Sequence, residues 1–206
     1  MVFSMCLPLS YSFTAEIFLR GFLFLKHFGL LKDIIGEKLF EGVPAMLTQE
    51  QFTQIVQTYI NTVFRVALHY TKNPADAEDL VQNTFIKLWQ EQKEFDSRDH
   101  IRAWLIRVAV NEGKKHLRSP WRSHVPYEEY AASLNFPAPE QQEVWQEVMA
   151  LPRKYRMPIY LHYYEGYTTQ EIAKLLGIPH ATVRTQLSRG RQLLRTQLQE
   201  VEFDEI

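Results

Sequence analysis

The sequence predicts an all-α protein built from two small helical domains that an extended linker joins. Three observations indicate this fold. Apolar residues recur every three or four positions in several segments, cap residues mark helix starts, and residues 119–138 carry Pro120, Pro126 and Pro137 without a sustained period. No segment shows the alternation typical of a strand. The second domain has the pattern of a helix-turn-helix (winged-helix-like) domain.

The first domain begins at a well-marked helix start. Thr48 and Gln51 have the spacing of a capping box, while Leu47 and Phe52 occupy the two positions of a hydrophobic staple. Apolar residues then follow at helical spacing, which predicts a first helix to about Thr71.

Two more helices complete this domain. Asn73 and Pro74 supply a cap and a first-turn proline for the second helix, whose apolar stripe extends to Trp89. After a polar loop, Ile101 opens the apolar stripe of a third helix that we expect to end near Arg118.

The patterns divide the chain into five parts. These are an N-terminal extension (1–45), a first domain (46–118), a linker (119–138), a second domain (139–199) and a tail (200–206). We expect the extension to be non-functional or loosely ordered, with functional translation starting at Met46. Its apolar run at 17–31 is too short and too charged to span a membrane, and a helix lying on the membrane surface is the alternative.

The charge of the chain is unevenly distributed, although the formal net charge is only -1. Residues 101–118 carry a balance of +4 and residues 151–198 carry +6, whereas residues 119–150 between them carry -4. Two basic blocks around an acidic spacer indicate a polyanionic partner such as nucleic acid. The single cysteine, Cys6, excludes an internal disulfide and suits a reducing cytosol.

The sequence offers no pattern of catalytic chemistry. None of the seven histidines has metal-ligand spacing, and no nucleophile or glycine-rich phosphate loop stands out. We therefore expect no catalytic residue, no metal, no cofactor and no small-molecule substrate.

The strongest functional pattern lies at 167–198. Thr168 and Glu171 form a capping box at the start of one helix, Gly177 suits a left-handed cap at its end, and Pro179 restarts the chain. In the following helix Val183, Leu187, Gly190 and Leu194 share one face, and Arg184, Ser188, Arg191 and Arg195 share the opposite face. Arginine forks match guanine edges and hydroxyls bind phosphates, so this second face predicts binding in the major groove.

Three stretches resemble a known family. LPRKYRMPIYLHYYEGYTTQEIAKLLGIPHATVRTQLSRGRQLLR looks like region 4 of the extracytoplasmic-function sigma factors, while DAEDLVQNTFIKLW and AWLIRVAVNEGKKHLR resemble their region 2. With their flanks these motifs cover about 47–199. The resemblance implies an RNA polymerase sigma factor of the sigma-70 family, which binds core polymerase and directs promoter recognition and DNA melting.

The resemblance assigns a role to each matching residue. The residues assigned to polymerase binding are Asp76, Asp79, Leu80, Gln82, Asn83, Phe85 and Trp89. We expect Leu80, Phe85 and Trp89 to pack in the core and the four polar residues to be exposed. Capture of a flipped minus-ten base falls on a specificity loop of Phe95, Asp96, Ser97, Arg98 and Asp99. Tracking of the opened strand falls on Arg102, Arg107, Asn111, Lys114, Lys115 and Arg118. We expect Trp104, beside them, to be buried.

In region 4 the same resemblance points to the minus-35 element. Arg184, Thr185, Ser188 and Arg189 would meet base edges or adjoining phosphates, and Thr169, Lys174, Arg191 and Arg195 would mainly hold phosphates. The implied partners are core RNA polymerase, through its β′ clamp helices and β flap, promoter DNA and an anti-sigma factor. The expected location is the cytoplasm, with an anti-sigma factor as a means of holding the chain at the membrane.

The helix pattern is irregular at two places, Pro158 and the adjacent Glu112 and Gly113. Pro158 is expected to interrupt its helix and to restart it or kink it. Glu112 and Gly113 are expected to weaken the end of the third helix and to put an acid beside the DNA path.

Two other functions were weighed. One is a helix-turn-helix activator that does not enter polymerase. The acids at 76 and 79 and the loop at 95–99 disfavour this function. The other is a membrane-tethered interaction protein, which depends only on the N-terminal extension.

Overall fold

The computed structural model describes residues 47–91, 94–118 and 139–204, with side chains from 144 to 198 in the last range. Seven helices occur in this part of the chain and no strand does. They are α1 (Gln49–Thr71), α2 (Pro74–Gln90), α3 (Arg98–His116), α4 (Pro139–Ala150), α5 (Arg153–Tyr163), α6 (Thr169–Leu176) and α7 (His180–Asp204). The proposed extension with Met46, and the predicted linker, lie outside the described residues.

The predicted helix caps are confirmed. Thr48 and Thr168 each accept a hydrogen bond from the backbone N–H three residues later, and their own backbone N–H groups donate to the side chain of that residue, which completes a capping box. Asn73 accepts from the backbone of Ala75 and Asp76 at the start of α2. These side chains satisfy backbone groups that a helix start leaves without partners, so they define where each helix begins.

The third helix begins earlier than its apolar stripe predicts. Ser97 accepts a hydrogen bond from the backbone N–H of His100 at 3.1 Å and so caps α3, which starts at Arg98. Arg98 and Asp99, assigned to a loop from the sequence, therefore lie in the first helical turn. The backbone of the predicted specificity loop is shortened to residues 94–97.

Helices α1, α2 and α3 enclose the core of the first domain. The ring of Phe52 meets Phe85 edge-on at 6.5 Å between centroids and Trp89 at 5.0 Å. From α3, Leu105 and Ile106 are almost fully buried in the same core. Each such side chain contributes about 1.5–3 kcal/mol through the water-accessible apolar area it removes.

Helices α4 to α7 form the second domain. Trp145 of α4 is fully buried and meets Tyr160 of α5 edge-on at 5.7 Å. Gly190 of α7 lies so close to α5 that an added Cβ would stand 2.9 Å from the Cγ1 of Ile159. The glycine therefore lets the recognition helix cross α5 closely.

The prediction that Pro158 would restart or kink its helix is wrong on the first count, since α5 runs from Arg153 to Tyr163 with this proline inside it. The proline removes the N–H that would bond the carbonyl of Lys154. Lys154 is exposed, so water can satisfy that carbonyl in the first turn.

Packing between helices explains the glycine at position 113, which the sequence did not indicate. A Cβ at this position would stand 2.3 Å from the ring of Tyr70, so only glycine lets α1 and α3 approach here. Helix α3 continues past this glycine to His116, so the expected weakening does not end the helix here.

The two domains contact each other directly. Helix α1 packs against α5, and α3 packs against α6. Within the described residues, no helix is both long enough and apolar enough to cross a membrane.

Candidate nucleic-acid interface

The recognition helix α7 presents the predicted cationic face to solvent. Arg184, Ser188, Arg191 and Arg195 are all exposed and repeat at intervals of three or four residues. On the opposite face Val183 is fully buried and Leu187 almost so. The burial pattern follows the helical period, so the apolar contacts to the rest of the domain fix which face is free for DNA.

A cavity of about 680 Å³ opens beside this face. Arg184, Thr185, Ser188 and Arg191 line it from α7, and Thr169 lines it from the start of α6. Cations and hydroxyls around a concave surface are the groups that bind phosphate oxygens. Lys174, the other residue of α6 assigned to phosphates, is exposed.

Three side chains at this surface were not predicted. His162 lines the cavity, and its Nδ1 lies 2.8 Å from the carbonyl of Tyr167; because a carbonyl only accepts, Nδ1 carries the proton. His180 Nε2 lies 2.7 Å from the hydroxyl of Thr169. Tyr163 is exposed and its hydroxyl accepts a bond from Arg191 at 3.4 Å. Only the fold brings His162 and Tyr163 to α7, whereas His180 is the first residue of that helix.

Arg189 also lines the cavity, but it lies outside the line that Arg184, Ser188, Arg191 and Arg195 form along the helix. It follows Arg184 by five residues and so points to a different side of the helix at about 100° per residue. A hydrogen bond from Arg189, followed in size by one from Lys154, lowers the pKa of the Tyr155 hydroxyl. Arg189 is thus drawn toward α5, although it stays exposed.

The first domain has a second cationic stripe along α3. Arg107, Asn111, Lys115 and Arg118 are exposed and succeed one another at intervals of four, four and three residues. This spacing places them in one line along the helix. Four of the six side chains assigned to the opened strand therefore share one accessible surface.

The other two, Arg102 and Lys114, contact the second domain. Arg102 Nη2 donates to the carboxylate of Glu165 at 2.5 Å and to its main-chain carbonyl at 2.8 Å. Burial opposes the charge of Arg102, but the bond and the charge of Glu165 outweigh it, and the pKa of the guanidinium is raised. Lys114 Nζ donates to the carbonyl of Leu176 at 2.6 Å, and burial, followed by the charge of Arg118, lowers the pKa of its ammonium group.

The predicted specificity loop is anchored by the ring of Phe95, and its other residues are exposed. The ring of Phe95 is half-buried against Trp104 at 5.7 Å and His100 at 5.4 Å, and Trp104 itself is half-buried. Asp96, Ser97, Arg98 and Asp99 are exposed. Aromatic packing therefore holds the base of the loop while its polar residues face solvent.

A groove of about 760 Å³ separates this loop from α1. Gln54, Ile55 and Thr58 line it on the α1 side, and the hydroxyl of Tyr59 donates to the carbonyl of Arg98 at 3.2 Å across it. The sequence did not indicate that α1 forms this wall.

The polar residues of α2 divide into two groups. Asp79, Gln82 and Asn83 are exposed, whereas Asp76 is half-buried and lies 3.6 Å from His116 of α3. The three residues expected in the core differ in burial. Leu80 and Phe85 are buried, and Trp89 is half-buried against Phe52.

Glu112 does not share the exposed stripe of α3. Its carboxylate accepts a bond from Lys87 of α2, on the side of α3 that packs within the domain. The expectation that Glu112 puts an acid beside the DNA path stays a prediction, with the positive charge of Lys87 now next to that acid. In the described ranges, no group of three or more His, Cys, Asp or Glu side chains is placed to hold a metal ion.

Two helical domains, each with one exposed cationic helix face, define a class of two-part nucleic-acid-binding proteins. Comparison with protein families identifies both parts: Sigma-70 region 2 matches residues 55–123, and Sigma-70, region 4 matches residues 141–194. The chain belongs to the extracytoplasmic-function sigma factors of the sigma-70 family. Its members are factors of transcription initiation without enzymatic activity, and sigma factors bind RNA polymerase.

Relatives with curated descriptions agree with this family. The chain is 32% identical to a probable RNA polymerase sigma factor, RfaY, of Xanthomonas campestris over 81% of its own length, but it spans only 45% of that protein. It is 28% identical to the ECF sigma factor SigW of Bacillus subtilis, covering 74% of this chain and 91% of SigW.

Solved structures show the same fold. The sigma factor RpoE of Bartonella quintana, in complex with the anti-sigma factor NepR, superposes with a TM-score of 0.55 at 23% identity over 72% of this chain and 96% of that one. CnrH, in complex with the cytosolic domain of CnrY, gives 0.54 at 23% identity over 76% and 92%.

Proposed function

We propose that this chain directs core RNA polymerase to a set of promoters, with the first domain opening and holding the minus-ten element and the second domain reading the minus-35 element. The observation that carries the proposal is the pair of exposed cationic stripes, one on α3 and one on α7. The two stripes differ in their side chains. The stripe on α3 suits an opened single strand, and the stripe on α7 suits duplex DNA.

The stripe on α3 suits an opened single strand. Arg107, Lys115 and Arg118 track a backbone, and Asn111 offers hydrogen bonds between them. A base extruded from the duplex costs a few kcal/mol, which contacts in a pocket must offset. The groove between the loop at 94–97 and α1 supplies polar walls for such a base.

The stripe on α7 suits duplex DNA. A recognition helix enters the major groove with its N-terminal residues against base edges, where Arg184 and Thr185 lie. Arg191 and Arg195, further along the helix, and Lys174 on α6 are placed for phosphates. The unpredicted His162 and His180 add ring nitrogens at the same edge.

Polymerase binding falls on the exposed part of α2. Asp79, Gln82 and Asn83 form its accessible polar face, and we propose that they contact the β′ clamp helices, with the second domain meeting the β flap. Leu80 and Phe85 support this face from within the core, because their side chains are buried.

We also propose an anti-sigma partner in the cytoplasm. Two solved structures similar to this fold are described as complexes, one with NepR and one with CnrY. A membrane-held partner would then tether the factor without any membrane-spanning helix in the described residues.

The proposal is tested by run-off transcription with core polymerase on a genomic promoter library. We expect chain-dependent transcripts from promoters that share a minus-ten and a minus-35 motif. A double variant of the α3 stripe, Arg107→Ala with Lys115→Ala, should lose most of this activity, whereas Lys154→Ala, an exposed cation of α5, should retain it. Binding of duplex DNA without any transcript would instead support an activator that does not enter polymerase.

A further inference from the structure

The contact between the two domains is well supplied with hydrogen bonds. Arg156 of α5 is 2% exposed, and its guanidinium donates to the carbonyl of His69 in α1 and to that of Met149 at 2.7 Å. Lys114 and Arg102 make the bonds to the second domain described above. Each of these cations therefore has acceptors in the closed arrangement.

The side chain of His69 is the exception. It is fully buried, with its ring 5.0 Å from that of Trp145 and 4.5 Å from that of Tyr160. Neither ring nitrogen has a hydrogen-bond partner within the described part of the chain. Buried polar side chains are nearly always paired, so an imidazole with two unmet nitrogens at a domain contact needs a reason.

The surroundings of His69 hold it neutral. Burial, then the charges of Arg156 on α5 and Arg65 on its own helix, keep the pKa of this imidazole well below its usual value. From α4, the uncharged ring of Trp145 faces His69. From α5, Tyr160 faces it, and the hydroxyl of this tyrosine donates a hydrogen bond to Glu165.

Glu165 contacts this cluster through Tyr160, and its carboxylate already has partners. Its carboxylate accepts from both Tyr160 and Arg102. It is therefore not available to accept a bond from a protonated His69.

We propose that His69 is a conformational regulator that keeps the contact between the two domains reversible. In the closed state both imidazole nitrogens lack partners, and in an open state water satisfies them. The closed state is destabilised by this difference and can separate, despite the bonds of Arg156, Lys114 and Arg102. Separation also frees Arg102 and Lys114 for the opened strand, a consequence that rests on the proposed function.

Distances between the domains test this directly. Nitroxide labels at Gln90→Cys on α2 and Gln192→Cys on α7, both exposed positions, with Cys6→Ser, report closed and open populations by pulsed electron resonance. His69→Phe keeps a ring against Trp145 and Tyr160 but removes both nitrogens. We expect it to raise the closed-to-open ratio by about five-fold to thirty-fold, the range for one or two unmet buried polar groups.

Two further variants make the result decisive. His116→Phe changes a histidine that faces α2 and should leave the ratio unchanged, and Glu165→Gln should lower it. Circular dichroism checks that His69→Phe folds, and His69→Leu takes its place if it does not. If neither variant folds, the test uses the unaltered chain, whose open population must rise as the pH falls below about 6.5. A folded His69 variant with an unchanged or smaller closed population, or an unaltered chain that stays closed in acid, would overturn the proposal. No DNA or polymerase is present, so this failure is distinct from a failure to transcribe.

Discussion

Arg102 of the first domain donates to both the carboxylate and the main-chain carbonyl of Glu165 in the second. Its guanidinium also lies over the ring of Tyr167, 5.0 Å from the centroid. An arginine that the family resemblance assigns to the opened strand is thus occupied by region 4. In this arrangement region 4 and minus-ten DNA would compete for the same side chain.

This relationship predicts that Glu165→Gln binds single-stranded minus-ten DNA several-fold more tightly than the unaltered chain. The substitution removes the charge that holds Arg102, and a charge-assisted bond is roughly twice as strong as a neutral one. Fluorescence anisotropy with a minus-ten oligonucleotide at fixed salt measures the change, since affinity depends steeply on salt.

The matched control is Glu171→Gln, which removes the same charge from the same domain. Glutamine serves at the third position of a capping box, so the start of α6 should be preserved. Equal tightening in both variants would mean that general charge, and not the release of Arg102, is responsible.

Local features of the fold were predicted from the sequence because they depend on neighbouring residues. The caps at Thr48, Asn73 and Thr168 and the inward face of α7 follow from spacing alone. The contact of Arg102 with Glu165 joins residues 63 positions apart and could not be inferred from spacing.

The minus-35 face predicts a division between base readout and phosphate contact. Arg184→Ala should lose about 1–3 kcal/mol of discrimination between minus-35 sequences, because one bidentate guanine contact is worth that much. Arg195→Ala should weaken binding to all sequences about equally. Sequence-resolved binding of duplex libraries separates the two effects.

Arg189 supplies an internal comparison for that experiment. Because it is drawn toward Tyr155, Arg189→Ala should reduce discrimination less than Arg184→Ala does. The same loss of discrimination in all three variants, or in none, would contradict the assignment of the face.

The loop after α2 predicts a change of minus-ten preference without loss of polymerase binding. Replacing the exposed Asp96, Arg98 and Asp99, while keeping the anchor Phe95 and the cap Ser97, alters the groove but preserves α3. Promoter-library transcription measures the preference, and co-purification with core polymerase is the control. An unchanged preference at full activity would count against the loop.

Two residues make contacts across helices that the sequence expectations did not include. Glu112 was read beside the basic residues of α3, but its carboxylate reaches Lys87 on α2. Gly113 was read as a weak helix former, although its lack of a side chain admits Tyr70. Helix propensity describes one segment, and in both cases packing between segments decides the outcome.

Gly113→Ala is therefore predicted to destabilise the first domain. Alanine is the better helix former, so propensity alone would raise the free energy of unfolding. The 2.3 Å approach to the Tyr70 ring requires a shift of helix or ring, and overpacking of this kind costs about 1–3 kcal/mol. Urea unfolding followed by circular dichroism measures the loss.

A double variant isolates the cause. Tyr70→Leu removes the ring, so adding Gly113→Ala to it should cost much less than adding it to the unaltered chain. Additive losses would show that the ring is not the obstacle.

His69 predicts that acid opens the contact between the domains. Its pKa is held well below the usual value in the closed state, and in an open, solvated state it should return to about 6.5. Below that pH the open state binds a proton that the closed state does not, so the closed state loses stability as pH falls. From pH 8 to 5.5 the closed-to-open ratio should drop by about tenfold for this one group, since pH 5.5 lies about one unit below the open-state pKa and each such unit is worth about tenfold. The label distances described above measure the ratio, and His69→Phe should flatten the profile, leaving only what the other histidines contribute. A steep profile that persists in His69→Phe would assign the proton to another residue.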